Sequence, residues 1–375
     1  MDTTSATLPV APPDHPPPPP PADSTRHARW PWVLGAIGVL AAAASLFALV
    51  VELPYYALSP GSARATEPTV SVEGAETFPA GDELLFTTVT VGQRRVNGFE
   101  WLEAKLSSDI ELVPAELIDG GQTPEENQQL NQQLMDASEE TAVVVALEHL
   151  GYDVVSGTGA TIEDVVPDTP ADGVIEPGDT VVRAGGQPVE RVEDFVAEID
   201  ARDPGDELTL VLESGDDGAP RRRATVELAA FPDAPAEPFL GVSGLTTRDL
   251  ELDYPFDVTI DPGQVRGPSA GLAFTLAVLD VLTPGDITNG VDVAVTGTID
   301  GLGRVGQVGG VDFKALAAER AGAELFLVPE GEEDLARSRV GDDLRIVPVA
   351  TLQDALEALD ELGANATDLE VPDPA

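Results

Sequence analysis

The sequence predicts a protein of the α+β class with one N-terminal transmembrane helix, a small strand-rich unit and a C-terminal mixed α and β unit. Three patterns support this prediction. Residues 33–51 form an uncharged run of nineteen residues, close to the length that spans a bilayer as a helix. Residues 84–91 alternate β-branched and polar side chains, which indicates a strand. Residues 269–282 carry leucines at helical spacing, which indicates a helix with an apolar face.

The N-terminal region divides into a tail and an anchor. Residues 1–29 are polar and include an unbroken proline run at 16–21, so they predict a disordered cytoplasmic tail. Residues 30–53 predict the transmembrane helix. Aromatic side chains, which prefer the interface between membrane and water, lie at its two ends: Trp30, Trp32, Tyr55 and Tyr56.

The charges around the anchor predict its orientation. Arg26 and Arg29 precede the span, whereas the first cation after it is Arg64. Because positive charge is retained on the cytoplasmic side, we expect a single-pass protein of the cell membrane with a cytoplasmic N-terminus and extracytoplasmic domains. The alternative is a cleaved secretory signal, but its apolar region would be unusually long and no small-x-small cleavage site follows it.

Composition excludes several classes of function. With 67 acidic residues against 20 basic ones, the net charge of −47 argues against a nucleic-acid partner. No G-x-x-x-x-G-K-[ST] phosphate loop occurs, so ATP is not expected as a partner. The absence of cysteine excludes disulfides, a thiol nucleophile and thiolate metal ligands, and we expect no cofactor and no metal. The three histidines fit neither a Ser-His-Asp triad nor an HExxH zinc site: His15, His27 and His149.

Residues 60–150 predict an α/β segment outside the membrane. Strands are expected first, and then a helix that begins at Thr123 as N-cap, with Pro124 in the first turn and Glu126 completing a capping box. Gly151 can end this helix. Its face rich in asparagine and glutamine indicates only a solvated surface.

Residues 151–230 contain short strands punctuated by glycine, proline and aspartate. Two stretches stand out, A-T-I-E-D-V-V-P-D-T-P-A at 160–171 and I-E-P-G-D-T-V-V-R-A-G-G-Q-P-V at 175–189, before a predicted helix at 191–201. Their P-G-D and G-Q-P-V elements resemble the PDZ domains of bacterial proteases. The resemblance implies a unit that binds extended peptides by adding a strand to an exposed sheet edge.

The loop before the first of these strands, Gly157, Thr158 and Gly159, has two interpretations. Glycines allow backbone N–H groups to converge on an anion, so the loop is a candidate for binding a peptide carboxylate. It is equally compatible with an ordinary flexible turn.

Residues 237–362 contain the candidate nucleophile and base. Ser269 lies in G-P-S-A-G at the start of a predicted helix, where free N–H groups and the helix dipole suit a developing oxyanion. A simple N-cap serine is the alternative. Lys314 follows 45 residues later in an alanine-rich helix, and it is one of only two lysines, the other being Lys105. A desolvated lysine can lose its proton, whereas an arginine cannot.

The motif around these residues resolves the ambiguity. G-P-S-A-G together with T-G-T-I-D-G-L-G-R-V-G-Q-V-G-G-V-D-F-K at 296–314 resembles the proteolytic domain of Lon proteases. This resemblance implies a Ser-Lys dyad of Ser269 and Lys314, with Thr296 holding the lysine. Two positions depart from the family pattern: Arg266 stands where an acidic residue is common, and Thr298 replaces a glutamate.

Over residues 30–362 the whole chain resembles the membrane-anchored PDZ-Lon proteases of Gram-positive bacteria, and residues 363–375 predict a disordered tail. The resemblance implies an ATP-independent serine endopeptidase whose partners are peptide or protein substrates and the membrane. A homo-oligomer is left open. The alternative is a catalytically silent PDZ adaptor, which would be free to lose a dyad residue. A lipase or esterase would lack the usual histidine.

Overall fold

The computed structural model describes residues 30–79, 81, 83–214, 220–231, 234–367 and 369. Within these ranges the α-helices are α1 Trp30–Val50, α2 Gly98–Leu106, α3 Ala115–Asp119, α4 Pro124–His149, α5 Val192–Asp200, α6 Gly271–Leu282, α7 Val311–Ala321, α8 Glu333–Arg337 and α9 Leu352–Asp360. The N-terminal tail predicted over residues 1–29 lies outside the described residues.

The strands of the described residues fall into two main sheets and several short pairs. In chain order they are β1 Tyr55–Ala65, β2 Val70–Glu73, β3 Leu84–Val91, β4 Glu111–Pro114, β5 Val155–Ser156, β6 Ala160–Val165, β7 Thr180–Ala184, β8 Gln187–Pro188, β9 Glu207–Glu213, β10 Arg222–Glu227, β11 Ala229–Ala230, β12 Pro238–Phe239, β13 Val242–Thr247, β14 Glu251–Leu252, β15 Asp257–Ile260, β16 Val293–Val295, β17 Thr298–Ile299, β18 Val305–Gly306, β19 Leu325–Pro329 and β20 Arg345–Val349. The α+β class predicted from the sequence is confirmed.

Helix α1 has the length and composition of a membrane span. Its apolar window, Trp32–Val50, has a mean hydropathy of 2.5 and no part of it is buried against the rest of the protein. At about 1.5 Å per residue, its 21 residues match the roughly 30 Å thickness of bilayer hydrocarbon.

One six-stranded sheet, which we call the catalytic sheet, contains strands from both the N-terminal and the C-terminal parts of the folded chain. Its order is β20-β19-β16-β3-β1-β4, with parallel pairing from β20 to β3 and antiparallel pairing from β3 to β4. The division predicted from the sequence kept residues 60–150 apart from 237–362, whereas the hydrogen bonds of this sheet run through both. The two regions form one fold because they share a hydrophobic core. Leu84 and Phe86 of β3 are buried in the same cluster of apolar side chains as the residues of α6.

The second sheet has the order β10-β9-β7-β6-β13, with α5 packed on it through Phe195. Its edge strand β13 lies beyond residue 230, where the sequence placed the end of this unit. The chain enters the unit through β5 and leaves it through β14, and these two strands pair with Ser156 opposite Glu251. This unit, the inserted unit, is therefore an insertion into the fold that carries the catalytic sheet.

Local signals in the sequence placed most helix ends correctly. Thr123 and Glu126 form the predicted capping box at the start of α4, and Gly151 follows its end with φ of 87°. Helix α6 begins at Gly271, two residues after the predicted start at Ser269, and all of its residues are buried. The tail predicted to be disordered from residue 363 begins instead with packed residues, because Ala366 is fully buried in the core.

Two contacts within the described residues join the start of α5 to the catalytic fold. Arg191, at the start of α5, forms an ion pair with Glu148 at the end of α4. Glu193 of α5 lies against the β17–β18 turn, where a Cβ on Gly301 would come within 2.5 Å of its carboxylate. The inserted unit is thus fixed on the catalytic fold by α5.

Candidate active site

Ser269 lies in a turn immediately before α6, and helix α4 holds that turn in place. The N–H of Gly267 donates to the carbonyl of Asn131 at 3.2 Å. The hydroxyl of Ser138 donates to the carbonyl of Pro268 at 3.1 Å. Gly267 itself has φ of 92°, a conformation that favours glycine. Residues of α4 therefore support the candidate nucleophile, a role that its polar sequence did not indicate.

Lys314 reaches Ser269 from the opposite side. It is the fourth residue of α7, and its side chain is buried with 1% exposure. Its Nζ lies 2.6 Å from Ser269 Oγ and donates to Thr296 Oγ1 at 2.8 Å. A longer contact of 3.4 Å joins Nζ to the carbonyl oxygen of Thr87 in β3. The structure thus brings together all three residues that the sequence selected and adds one backbone group that it did not.

Thr296 connects the two reacting groups. Its Oγ1 accepts from Lys314 Nζ and donates to the carbonyl of Ser269 at 3.1 Å. The adjacent N–H of Gly297 donates to the same carbonyl at 3.0 Å. Because Thr296 is fully buried, this small network lies away from water and holds the serine and lysine in one geometry.

Burial tunes the lysine. Loss of solvent disfavours the ammonium and lowers the pKa of Lys314 to about 7, while the carboxylate of Glu332 acts in the opposite direction. Burial also raises the pKa of Glu332, whose carboxylate accepts from the N–H of Val308 at 3.3 Å. At neutral pH a large share of Lys314 is therefore the free amine, the form that can accept a proton.

A site for a negatively charged oxygen lies beside the serine. Within the described part of the chain, the backbone N–H groups of Ser269 and Ala270 have no intramolecular acceptor. They precede the N-terminus of α6, where the helix dipole adds positive potential. This arrangement can receive the oxyanion of an acyl-transfer intermediate.

The structure does not support the predicted carboxylate-binding loop. The N–H of Thr158 donates to the carbonyl of Arg248 at 2.8 Å, and that of Gly159 donates to Glu190 at 2.9 Å. A Cβ on Gly157 would lie 2.3 Å from Thr247, so the loop is packed against the end of β13. With these donors already used, the loop cannot offer them to a ligand.

An open sheet edge lies on the other side of β13. This strand pairs only with β6 among the described strands, so its second edge is unoccupied there. Helix α5 packs beside it, and the partly buried Val242 and Leu245 face the core of the unit. An open edge with a helix alongside can accept one further strand. The sequence missed it because β13 follows the predicted end of the unit.

Comparisons with known proteins agree with this geometry. Residues 258–361 match the model of the Lon protease (S16) C-terminal proteolytic domain, and residues 121–219 match that of the PDZ domain. Lon protease from Xanthomonas oryzae pv. oryzae is 44% identical over 121 residues, which is 32% of this chain and 14% of that protein. Lon protease from Azospirillum brasilense is 40% identical over 113 residues, or 29% and 13% of the two chains. This chain thus covers about a seventh of the relatives it matches.

Among solved structures, the PDZ domain of the SdrC-like protein Lmo2051 from Listeria monocytogenes is similar at 23% identity and a TM-score of 0.21. The match covers 23% of this chain and 86% of that one. The C-terminal part of the chain is thus a proteolytic domain of the Lon type, which is a serine-type peptidase domain. More particularly, the chain combines a match to the Lon proteolytic domain with a match to the PDZ domain, the two domains that the resemblance predicted.

Proposed function

We propose that this protein is a membrane-anchored serine endopeptidase that cleaves extracytoplasmic or membrane proteins without ATP. The observation that carries the proposal is the distance of 2.6 Å between Lys314 Nζ and Ser269 Oγ, combined with a lysine pKa lowered to about 7. Serine needs a base before it can attack a carbonyl, and a buried amine near neutral pKa is such a base. Lack of a phosphate-loop motif in the sequence supports independence from ATP.

The reaction begins when the free amine of Lys314 takes the hydroxyl proton of Ser269. The serine oxygen bonds to the carbonyl carbon of the scissile peptide, and the N–H groups of Ser269 and Ala270 receive the resulting oxyanion. The ammonium of Lys314 then returns its proton to the leaving amine as the C–N bond breaks. Water, deprotonated by Lys314, releases the second fragment from the acyl-serine. Thr296 orients the amine in both halves of the reaction.

Substrate capture belongs to the inserted unit. An extended peptide that adds to the open edge of β13 would form backbone hydrogen bonds with that strand while its side chains contact α5. The capture surface thus consists of β13 and α5 instead of the loop at 157–159. Membrane anchoring by α1 would place both the capture surface and the dyad outside the cytoplasm, given the arginines that precede the span.

Two substitutions test the dyad. Ser269→Ala removes the nucleophile, and Lys314→Arg keeps the charge but cannot serve as a base. Each is expected to lower kcat/KM for a fluorogenic peptide by about a thousandfold or more, because both groups act in one step. Lys105→Arg is the matched control, since it makes the same change at the other lysine and should leave cleavage unchanged. Near wild-type cleavage by purified Lys314→Arg would show that the assignment of the dyad is wrong.

A further inference from the structure

Helix α2 presents an apolar face that the rest of the described chain leaves uncovered. Phe99, Leu102 and Leu106 follow one another at helical spacing, and their exposures are 49%, 50% and 81%. Trp101, at 37% exposure, lies on the flank of the helix next to this face, and Lys105 Nζ lies 5.8 Å from its ring. Large apolar side chains gathered on one exposed face indicate a binding surface.

The other side of α2 is anchored in the catalytic fold. Ala104 is buried, and the helix packs against β4 at the edge of the catalytic sheet. Asn97 caps the helix and accepts from the N–H groups of Phe99 and Glu100. The orientation of α2 is thus fixed by the fold, and its apolar face points outward.

The end of α1 lies directly against the start of α2. A Cβ on Gly98 would come within 3.0 Å of Ala48, and the backbone of Glu52 bridges to Asn97. Leu53 donates from its N–H to the carbonyl of Val96 at 2.8 Å. Ala48 is two residues before the end of α1, so α2 begins about 3 Å inside that end, at the level where hydrocarbon meets headgroups if α1 spans.

We propose that α2 is an interfacial helix that inserts its apolar face into the outer surface of the bilayer. The inference rests on the proposed membrane anchoring by α1. The composition of this helix suits that partner: Phe99, Leu102 and Leu106 enter the acyl region, while Trp101 and Lys105 on the neighbouring flank suit the interface and the headgroups. With α1 and α2 both held by lipid, the catalytic sheet cannot swing freely on a single tether. The dyad is therefore kept at a fixed height, close to membrane-proximal substrates.

Tryptophan fluorescence tests this inference directly. The chain has three tryptophans, and Trp30→Phe with Trp32→Phe leaves Trp101 as the only one. The full-length protein is reconstituted into phosphatidylcholine and phosphatidylglycerol vesicles, with or without lipids brominated near the headgroup end of the acyl chains. Bromine quenches tryptophan on contact, so we expect Trp101 emission to fall by about twofold in brominated vesicles and to shift to shorter wavelength relative to urea-unfolded protein.

Variants separate insertion from simple proximity. Phe99→Ser combined with Leu106→Ser should abolish most of the quenching. Leu335→Ser is the matched control, because Leu335 is 53% exposed on α8, which packs at β20 on the opposite edge of the catalytic sheet. Equal emission in brominated and unbrominated vesicles would overturn the inference.

Two further measurements distinguish a failure of this inference from a failure of the proposed function. Vesicles washed with alkaline carbonate report whether α1 anchors the chain, and peptide cleavage in the same vesicles reports the dyad. If the protein stays anchored and active while Trp101 is unquenched, only the role of α2 is lost. The combined Phe99→Ser and Leu106→Ser substitutions can also lower the molecular mass of the protein measured in detergent. That result would mean that the apolar face of α2 joins copies of this chain, and it would overturn the proposed insertion into lipid.

Discussion

The catalytic fold and the inserted unit differ in what they expose: the first buries its candidate base, and the second leaves a strand edge open. In the first, α6 is buried along its whole length and Lys314 has 1% exposure, so the candidate base is held dry beside the half-buried Ser269. In the second, β13 keeps one edge free of any described strand. A lysine base benefits from burial, because desolvation disfavours the ammonium and here lowers the pKa of Lys314. Recognition by strand addition needs unpaired backbone groups at the surface. One chain thus keeps the two requirements in separate sheets.

Of the predictions that test this comparison, the one with the largest expected effect concerns the burial of Lys314. Because the pKa of Lys314 is lowered to about 7, the base is protonated below that pH and kcat/KM should fall about tenfold per unit, or about a hundredfold at pH 5. Glu332→Gln removes the negative charge that favours the ammonium, so the acidic limb should move to lower pH. The measurement is the pH profile for a short peptide.

Glu330→Gln provides the matched control for that profile, because Glu330 is exposed two residues away and its substitution should leave the limb in place. Glutamine at 332 can still accept from the N–H of Val308, so the loop should be preserved. An acidic limb that stays near pH 7 in Glu332→Gln would show that this carboxylate does not act on the lysine.

The second prediction separates capture from cleavage. Ser156 and Glu251 are paired across β5 and β14, so residues 157–250 can be replaced by an Asn-Gly turn, which joins opposite residues of an antiparallel pair. Cleavage of protein substrates should fall by about tenfold or more, because capture raises their local concentration. Cleavage of a short peptide that reaches only the dyad should change by less than about twofold.

A circular dichroism spectrum must first establish that the shortened protein is folded. Equal losses for protein and peptide would contradict the division of labour and point to a structural role of the inserted unit in the active site. That outcome has a physical route, because Glu193 of α5 contacts the turn at Gly301.

Thr296→Ala should have a smaller effect than loss of either dyad residue. It removes one hydrogen bond to Lys314 and one to the Ser269 carbonyl. The Ser269 carbonyl keeps its bond from the N–H of Gly297, so the cost to catalysis is the loss of one orienting bond to Lys314, about 1 kcal/mol, and kcat should fall by about fivefold. Thr296→Ser keeps the hydroxyl and should restore most of the rate. A serine variant as slow as the alanine variant would mean that the methyl group, and thus packing, matters more than orientation.

The smallest effect concerns the contact between the two regions. Arg191→Ala breaks the ion pair with Glu148; the two side chains are 25% and 19% exposed, respectively. The substitution should weaken the packing of the inserted unit on the catalytic fold by about 1 kcal/mol. Limited proteolysis at the connections around β5 and β14 should accelerate, with peptide cleavage unchanged. Arg320→Ala removes a more exposed pair with Asp109 and should not alter proteolysis there. Identical digestion of both variants would show that the ion pair does not hold the units together.

Local signals in the sequence specified much of this molecule. The capping box at Thr123 follows from spacing alone, and the motifs around Ser269, Thr296 and Lys314 selected residues that the structure places in mutual contact. Such features depend on neighbours within a few residues or on a recognisable motif. Their chemistry is therefore readable without knowledge of distant contacts.

Distant pairings could not be predicted in the same way. Strand β3 pairs in parallel with β16, and nothing in the alternation of either strand names its partner. Strand β13 contains Gly244 at φ of 62°, which interrupts its alternation and hid it from a sequence pattern. The supporting bonds from Asn131 and Ser138 likewise depend on packing between α4 and α6, which no local pattern reveals. The open edge of β13 was absent from the sequence analysis for the same reason, because the position of that strand in the sheet depends on its pairing with β6.

The insertion also sets the order in which activity can arise during folding. Lys314 Nζ contacts the carbonyl of Thr87, 227 residues earlier in the chain, and β16 must enter beside β3 before the catalytic sheet is continuous. Contacts of such long sequence separation form late, because loop closure must precede them. A chain that has emerged only as far as α6 has its nucleophile but no base. Peptidase activity therefore appears only after the chain has been synthesised past α7, so that unfinished copies cannot digest their neighbours.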